Sequence, residues 1–116
     1  MSIEVRPIIV CLCGSTRFSQ AFRDANLRET LAGKIVLTIG CDVRSDLDLF
    51  VDLENEEILE IKHKLDKLHF EKIKLADEVL ILNVDDYIGQ STKNELEYAK
   101  QLGKTIRFLE PTDESN

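Results

Sequence analysis

Four short apolar runs rich in β-branched residues, each separated from the next by a segment of helical spacing, constrain this chain more than any other feature. Residues 8–13 (IIVCLC) are continuously apolar and stop at Gly14, which reads as a strand buried on both faces. Residues 34–40 (KIVLTIG), 79–84 (VLILNV) and 104–109 (KTIRFL) repeat the pattern. After the first run, Phe18, Phe22, Ala25, Glu29 and Ala32 follow a helical spacing that Gly33 closes. Over residues 55–76, Ile58, Ile61, Leu65 and Leu68 recur at i, i+3, i+7 and i+10, with Glu and Lys on the opposite face. Residues 91–102 form a third helix ahead of Gly103. The order βαβαβαβ predicts a single Rossmann-like (flavodoxin-like) α/β domain of three layers, with a mostly parallel sheet of four to five strands. Residues 1–110 make up that domain, and residues 111–116 a polar, frayed tail. Residues 41–53 fit no period and read as a loop.

A chain of 116 residues holds one domain. Fifteen Lys and Arg against 22 Asp and Glu leave a net charge of −7, which argues against a nucleic acid polymer or an anionic membrane as partner. No apolar run approaches the roughly 18–20 residues of a membrane span, and the first residues carry no signal-peptide pattern, so a cytoplasmic location is expected. The three cysteines cannot close a disulfide framework. Cys11 and Cys13 alternate on the first strand and share a face, which brings a metal pair to mind. Against it, Cys41 stands alone, and His63 and His69, six apart, do not share a helical face. Both thiols therefore read as core, and neither a metal nor a cofactor is expected.

In parallel sheets ligands bind beyond the carboxyl ends of the strands, which here means the loops at residues 14–17, 41–48 and 85–95. Gly14, Ser15, Thr16 and Arg17 combine a tight turn, amides at a helix start, two hydroxyls and a guanidinium, a set suited to a phosphate. The same residues also suit a plain helix cap with a surface arginine. In the third loop, Asp85, Gly89, Ser91 and Thr92 are candidate ligand contacts, and Glu95 is the candidate nucleophile. Thr92-x-x-Glu95 equally has the form of a capping box, in which Glu95 would fold back on its own helix. Asp46 and Asp48 read as solvated loop charge, or at most as contacts to a sugar hydroxyl.

Three segments, in this order, resemble the nucleoside 2-deoxyribosyltransferase-like family, which includes the 2′-deoxynucleoside 5′-phosphate N-hydrolases. Cys13-Gly14-Ser15-x-Arg17 is similar to the family's 5′-phosphate loop, and Ala76-Asp77-Glu78-Val79-Leu80-Ile81-Leu82 to its opening of strand three. Gly89-x-Ser91-Thr92-x-x-Glu95-Leu96-Glu97-Tyr98-Ala99, followed by Gly103-Lys104, is similar to the segment carrying its nucleophilic glutamate. The resemblance implies attack of Glu95 on C1′ of a nucleoside or nucleotide, a sugar ester on the enzyme, and its resolution by water or a second base. It implies that Ser91 contacts the sugar or phosphate, that no cofactor is needed, and that a homodimer or larger homo-oligomer completes the site. Where the family commonly has an aspartate, eight residues before Asp77, this chain has His69 (77 − 8 = 69), with Asp66 almost one helical turn away. A histidine there suits a general acid, with an ordinary pKa of about 6.5. A non-catalytic nucleotide sensor of the same fold is the alternative.

Overall fold

Every strand of the sheet is parallel to its neighbours, as the βα alternation requires. In the computed structural model, which describes residues 5–39 and 54–112, the chain runs β1 (Ile9–Cys13), α1 (Ser19–Leu31), β2 (Ile35–Leu37), α2 (Asn55–Leu75), β3 (Glu78–Ile81), a 3₁₀ turn (Val84–Asp86), α3 (Gln90–Gln101) and β4 (Thr105–Phe108). The strand order is β2-β1-β3-β4, with Ile9 opposite Ile35, Cys11 opposite Val79 and Val79 opposite Ile106. The two central strands are the most deeply buried, with Val10 to Cys13 of β1 and all of β3 closed to solvent. The strand order doubles back at β1, so the crossovers leaving β1 and β3 diverge and open a crevice at their carboxyl ends.

The alternating side chains of each strand build two cores. Val10, Leu12, Leu80 and Leu82 meet Phe22 and Ala25 of α1 on one face. Cys11, Cys13, Val79 and Ile81 meet Ile73 and Ala76 at the end of α2, and Leu96 and Ala99 of α3, on the other. Both α1 and α3 end as the glycine spacing predicts. Gly33 (φ +86°) and Gly103 (φ +71°) take left-handed backbone angles. The following amides, Lys34 N–H to the Glu29 carbonyl and Lys104 N–H to that of Ala99, close a Schellman motif at each end.

The structure departs from the sequence expectation at three places. The second strand stops at Leu37, and the Thr38 carbonyl accepts from Lys72 Nζ at 2.7 Å instead of from a neighbouring strand. The third stops at Ile81, because the buried Asn83 turns its amide onto the main chain of Glu110, donating to its carbonyl at 2.9 Å and accepting from its N–H at 2.8 Å. On α2 the predicted apolar stripe is not the buried face: Leu65 and Leu68 are 41% and 53% exposed, while His69 and Ile73 point into the core. Gly40, the loop of residues 41–53 with Cys41, Asp46 and Asp48, and residues 113–116 of the tail lie outside the described residues. No helix among the described residues is long and apolar enough to cross a membrane.

Candidate functional site

A cleft of about 380 Å³ opens at the carboxyl ends of β1 and β3, where the topology places it. One wall is the loop after β1, with Gly14, Ser15 and Thr16; the other is the start of α3, with Gly89, Gln90, Ser91, Thr92 and Glu95. Residues of α2 (Lys62, Leu65, Asp66, His69), together with Ile39 and Tyr87, complete the lining. The volume lies toward the small end of ordinary ligand pockets, roughly 300–1,000 Å³.

The β1 loop is held by its own side chains and by close packing. Phe18 N–H donates to the Ser15 carbonyl at 3.0 Å, and Arg17 N–H donates to Ser15 Oγ at 3.3 Å. Ser15 thus shapes the turn and does not cap α1, whose N-cap position, Phe18, has no side-chain cap. Gly14 lies against β3, where an added Cβ would come 3.0 Å from Leu82 Cβ.

Gly89, not Thr92, is the N-cap of α3, and no side chain caps it. Thr92 is already helical and 3% exposed, and Glu95 falls in the second turn. The capping-box alternative is thereby removed. Its place beyond the first turn also puts Glu95 outside the reach of the positive helix end, so the helix does not hold it ionised. The Glu95 side chain is 12% exposed, and burial pushes its carboxyl up to about 7, against the opposing charge of His69.

His69 is 6% exposed and turns Nε2 inward. That nitrogen lies 3.9 Å from Glu95 Oε1, 3.7 Å from Cys11 Sγ and 3.4 Å from Cys13 Sγ. Burial pushes the imidazole down, but the Cys11 contact and the Glu95 charge outweigh it, so its pKa is raised. Of the two thiols, Cys11 is lowered to about 6, chiefly by its hydrogen bond with Cys13 and against its own burial, and Cys13 is raised well above the usual thiol range.

Eight of the candidates read from the sequence meet at this cleft: Gly14, Ser15, Thr16, His69, Gly89, Ser91, Thr92 and Glu95. Arg17 and Asp85 do not line it. Arg17 carries its guanidinium over the Tyr87 ring at 4.4 Å, one residue outside the wall. Asp85 is exposed in a left-handed backbone conformation (φ +53°) and donates its N–H to Glu110 Oε2 at 3.1 Å. Lys62, with Asp66 beside it, is the addition that sequence reasoning missed. The signal was there, since 62, 66 and 69 follow i, i+4, i+7 and mark one face of α2.

Chemically, the arrangement offers a buried carboxyl beside an imidazole on one side of the cleft and a polar glycine turn on the other. The chain matches no family model and no curated protein.

Proposed function

We propose that the cleft binds a nucleoside or its 5′-monophosphate and that Glu95 cleaves the N-glycosidic bond. The observation that carries this reading is the position of Glu95, freed from any capping role and sunk in the wall facing the Gly14–Thr16 turn. The Glu95 carboxylate attacks C1′ and forms a C–O bond, while the C1′–N bond breaks and its electron pair leaves with the base. The base takes its proton from a neighbouring acid, and His69, 3.9 Å from Glu95, is the group best situated to give it. Water then attacks C1′, the C1′–O bond to Glu95 breaks and returns its electron pair to the carboxylate, and the water's proton goes to His69, restoring the acid. With its carboxyl raised to about 7, Glu95 keeps a carboxylate fraction at neutral pH, and the attack requires that ionised form.

In this reading Ser15 and Thr16 hold the phosphate end, Arg17 approaches it from beside Tyr87, and Ser91 contacts the sugar. A neighbouring copy of the chain completes the site, so sedimentation should show a dimer or larger assembly.

The test is chromatography of free base after incubation with a panel of nucleosides and 5′-monophosphates, with Glu95→Ala alongside. Base released by the wild type alone supports the reading, and the panel identifies the substrate. No release from any substrate, with a melting temperature raised by one nucleotide, overturns the catalytic step and leaves a nucleotide-binding sensor.

A further inference from the structure

Among the described residues, the sulfurs of Cys11 and Cys13 and a ring nitrogen of His69 lie within 4.8 Å of one another, and all three side chains are buried. The two cysteines face one side of β1, and His69 arrives from α2, which packs across that face. The distances from His69 Nε2 to the two sulfurs are 3.7 and 3.4 Å. Around a tetrahedral zinc ion, with Zn–S of about 2.3 Å and Zn–N of about 2.0–2.1 Å, the S···N edge is about 3.5 Å.

Hydrogen bonds alone do not require this convergence. Each thiol has a single proton, and Cys11 also reaches the Leu12 carbonyl at 4.0 Å, so Nε2 need accept from only one sulfur, yet both stand within 3.7 Å of it. A divalent ion takes the lone pairs of all three atoms at once. Its charge also fits the burial. Two thiolates, a neutral imidazole and a 2+ ion sum to zero, which a low-dielectric core tolerates where a lone charge is costly.

We infer that Cys11 Sγ, Cys13 Sγ and His69 Nε2 form a three-ligand site for a thiophilic divalent cation, zinc foremost, with its fourth position open toward Glu95 in the cleft. Binding releases the thiol protons to solvent, and the ligand set excludes hard cations such as Mg²⁺ and Ca²⁺. A water in the fourth position keeps the centre neutral, whereas the Glu95 carboxylate as fourth ligand would add an uncompensated charge. A metal on Nε2 and a proton given from Nε2 to the leaving base exclude each other, so an occupied site removes His69 as the acid and leaves Glu95 as nucleophile untouched.

The experiment is a titration of the chelator-treated, reduced full chain with Co²⁺, followed by absorption. The expected result is one Co²⁺ per chain, with thiolate-to-cobalt charge-transfer bands and tetrahedral ligand-field bands, both abolished by one equivalent of Zn²⁺ and unaffected by Mg²⁺. Cys13→Ser and His69→Ala should each weaken binding by more than about 100-fold, beyond what losing an outer-shell partner costs, with the fold checked by circular dichroism. Cys41→Ser should bind like the wild type. Absence of thiolate bands in the wild type overturns the site, whether or not any variant folds. Bands that persist in Cys13→Ser, or vanish in Cys41→Ser, overturn the ligand assignment.

Discussion

Glu95 Oε1 stands 3.9 Å from His69 Nε2, although the two residues come from different helices, which also pack through Phe70 and Tyr98 with ring centroids 4.9 Å apart. The pair lines the cleft, where the mostly buried carboxyl, 12% exposed, has its pKa pushed up to about 7. A carboxyl raised by burial in a cleft is a mark of chemistry more often than of stability.

Replacing Glu95 by Gln keeps the shape and removes the nucleophile. If the glycosidic reading holds, kcat for base release falls by about 10³-fold or more while KM changes little, because the lost bond forms only in the reaction. Steady-state kinetics separates the two constants. A large rise in KM with kcat intact would instead make Glu95 a binding residue.

Arg17 carries its guanidinium 4.4 Å over the Tyr87 ring at the edge of the site, and belongs to the same turn as Gly14, Ser15 and Thr16. Arg17→Ala is expected to raise KM for a nucleoside 5′-monophosphate by about 10–100-fold, the worth of one charge-assisted hydrogen bond. The value for the unphosphorylated nucleoside should be unchanged. Equal effects on both substrates would remove Arg17 from phosphate recognition.

Gly14 is fixed by the closeness of two strands and not by its backbone angle. The Cβ of Gly14→Ala would lie 3.0 Å from Leu82 Cβ and 3.4 Å from the Leu82 carbonyl oxygen, so β3 or the turn must yield. A loss of about 1–3 kcal/mol in urea unfolding is expected, as for other overpacked sites. An unchanged midpoint would show that the turn shifts freely.

Arg107 joins Glu29 and Glu78 through Nη2, and Lys34 contacts the same two carboxylates at 3.3 and 2.7 Å, with Arg28 at 3.4 Å from Glu29. Burial pushes the Glu29 carboxyl up, but Arg107 and Lys34 together outweigh it and hold its pKa below the ordinary carboxylate value. A depressed folded-state pKa stabilises the protein above the unfolded pKa of about 4.3, and that stabilisation is lost as pH falls through the folded value. Arg107→Met should therefore cost roughly 1–3 kcal/mol at pH 7, less than a fully buried pair because the Arg107 side chain is 35% exposed. The difference from wild type should shrink in urea unfolding below about pH 4. A difference constant from pH 7 to pH 3 would mean that packing, and not charge, carries it.

The apolar runs and their helical intervals were enough to determine the parallel sheet, the glycine-closed ends of α1 and α3 and the end of the sheet that carries the cleft. These are local properties: periodicity chooses strand or helix, and the right-handed crossover orders them. Within one segment, though, competing signals are nearly equal. Thr92 and Gly89 both suit a helix start, and only the folded chain, with Thr92 buried at 3%, takes Gly89 and so releases Glu95 from the cap. The sequence likewise carries an apolar stripe on α2 through Leu65 and Leu68, yet the sheet takes up His69 and Ile73. How far a helix is rotated against a sheet is decided by the whole interface and not by its own period. That rotation set His69 beside Cys11 and Cys13, a meeting that no spacing along the chain encodes, because its members belong to a strand and a helix brought together only by packing.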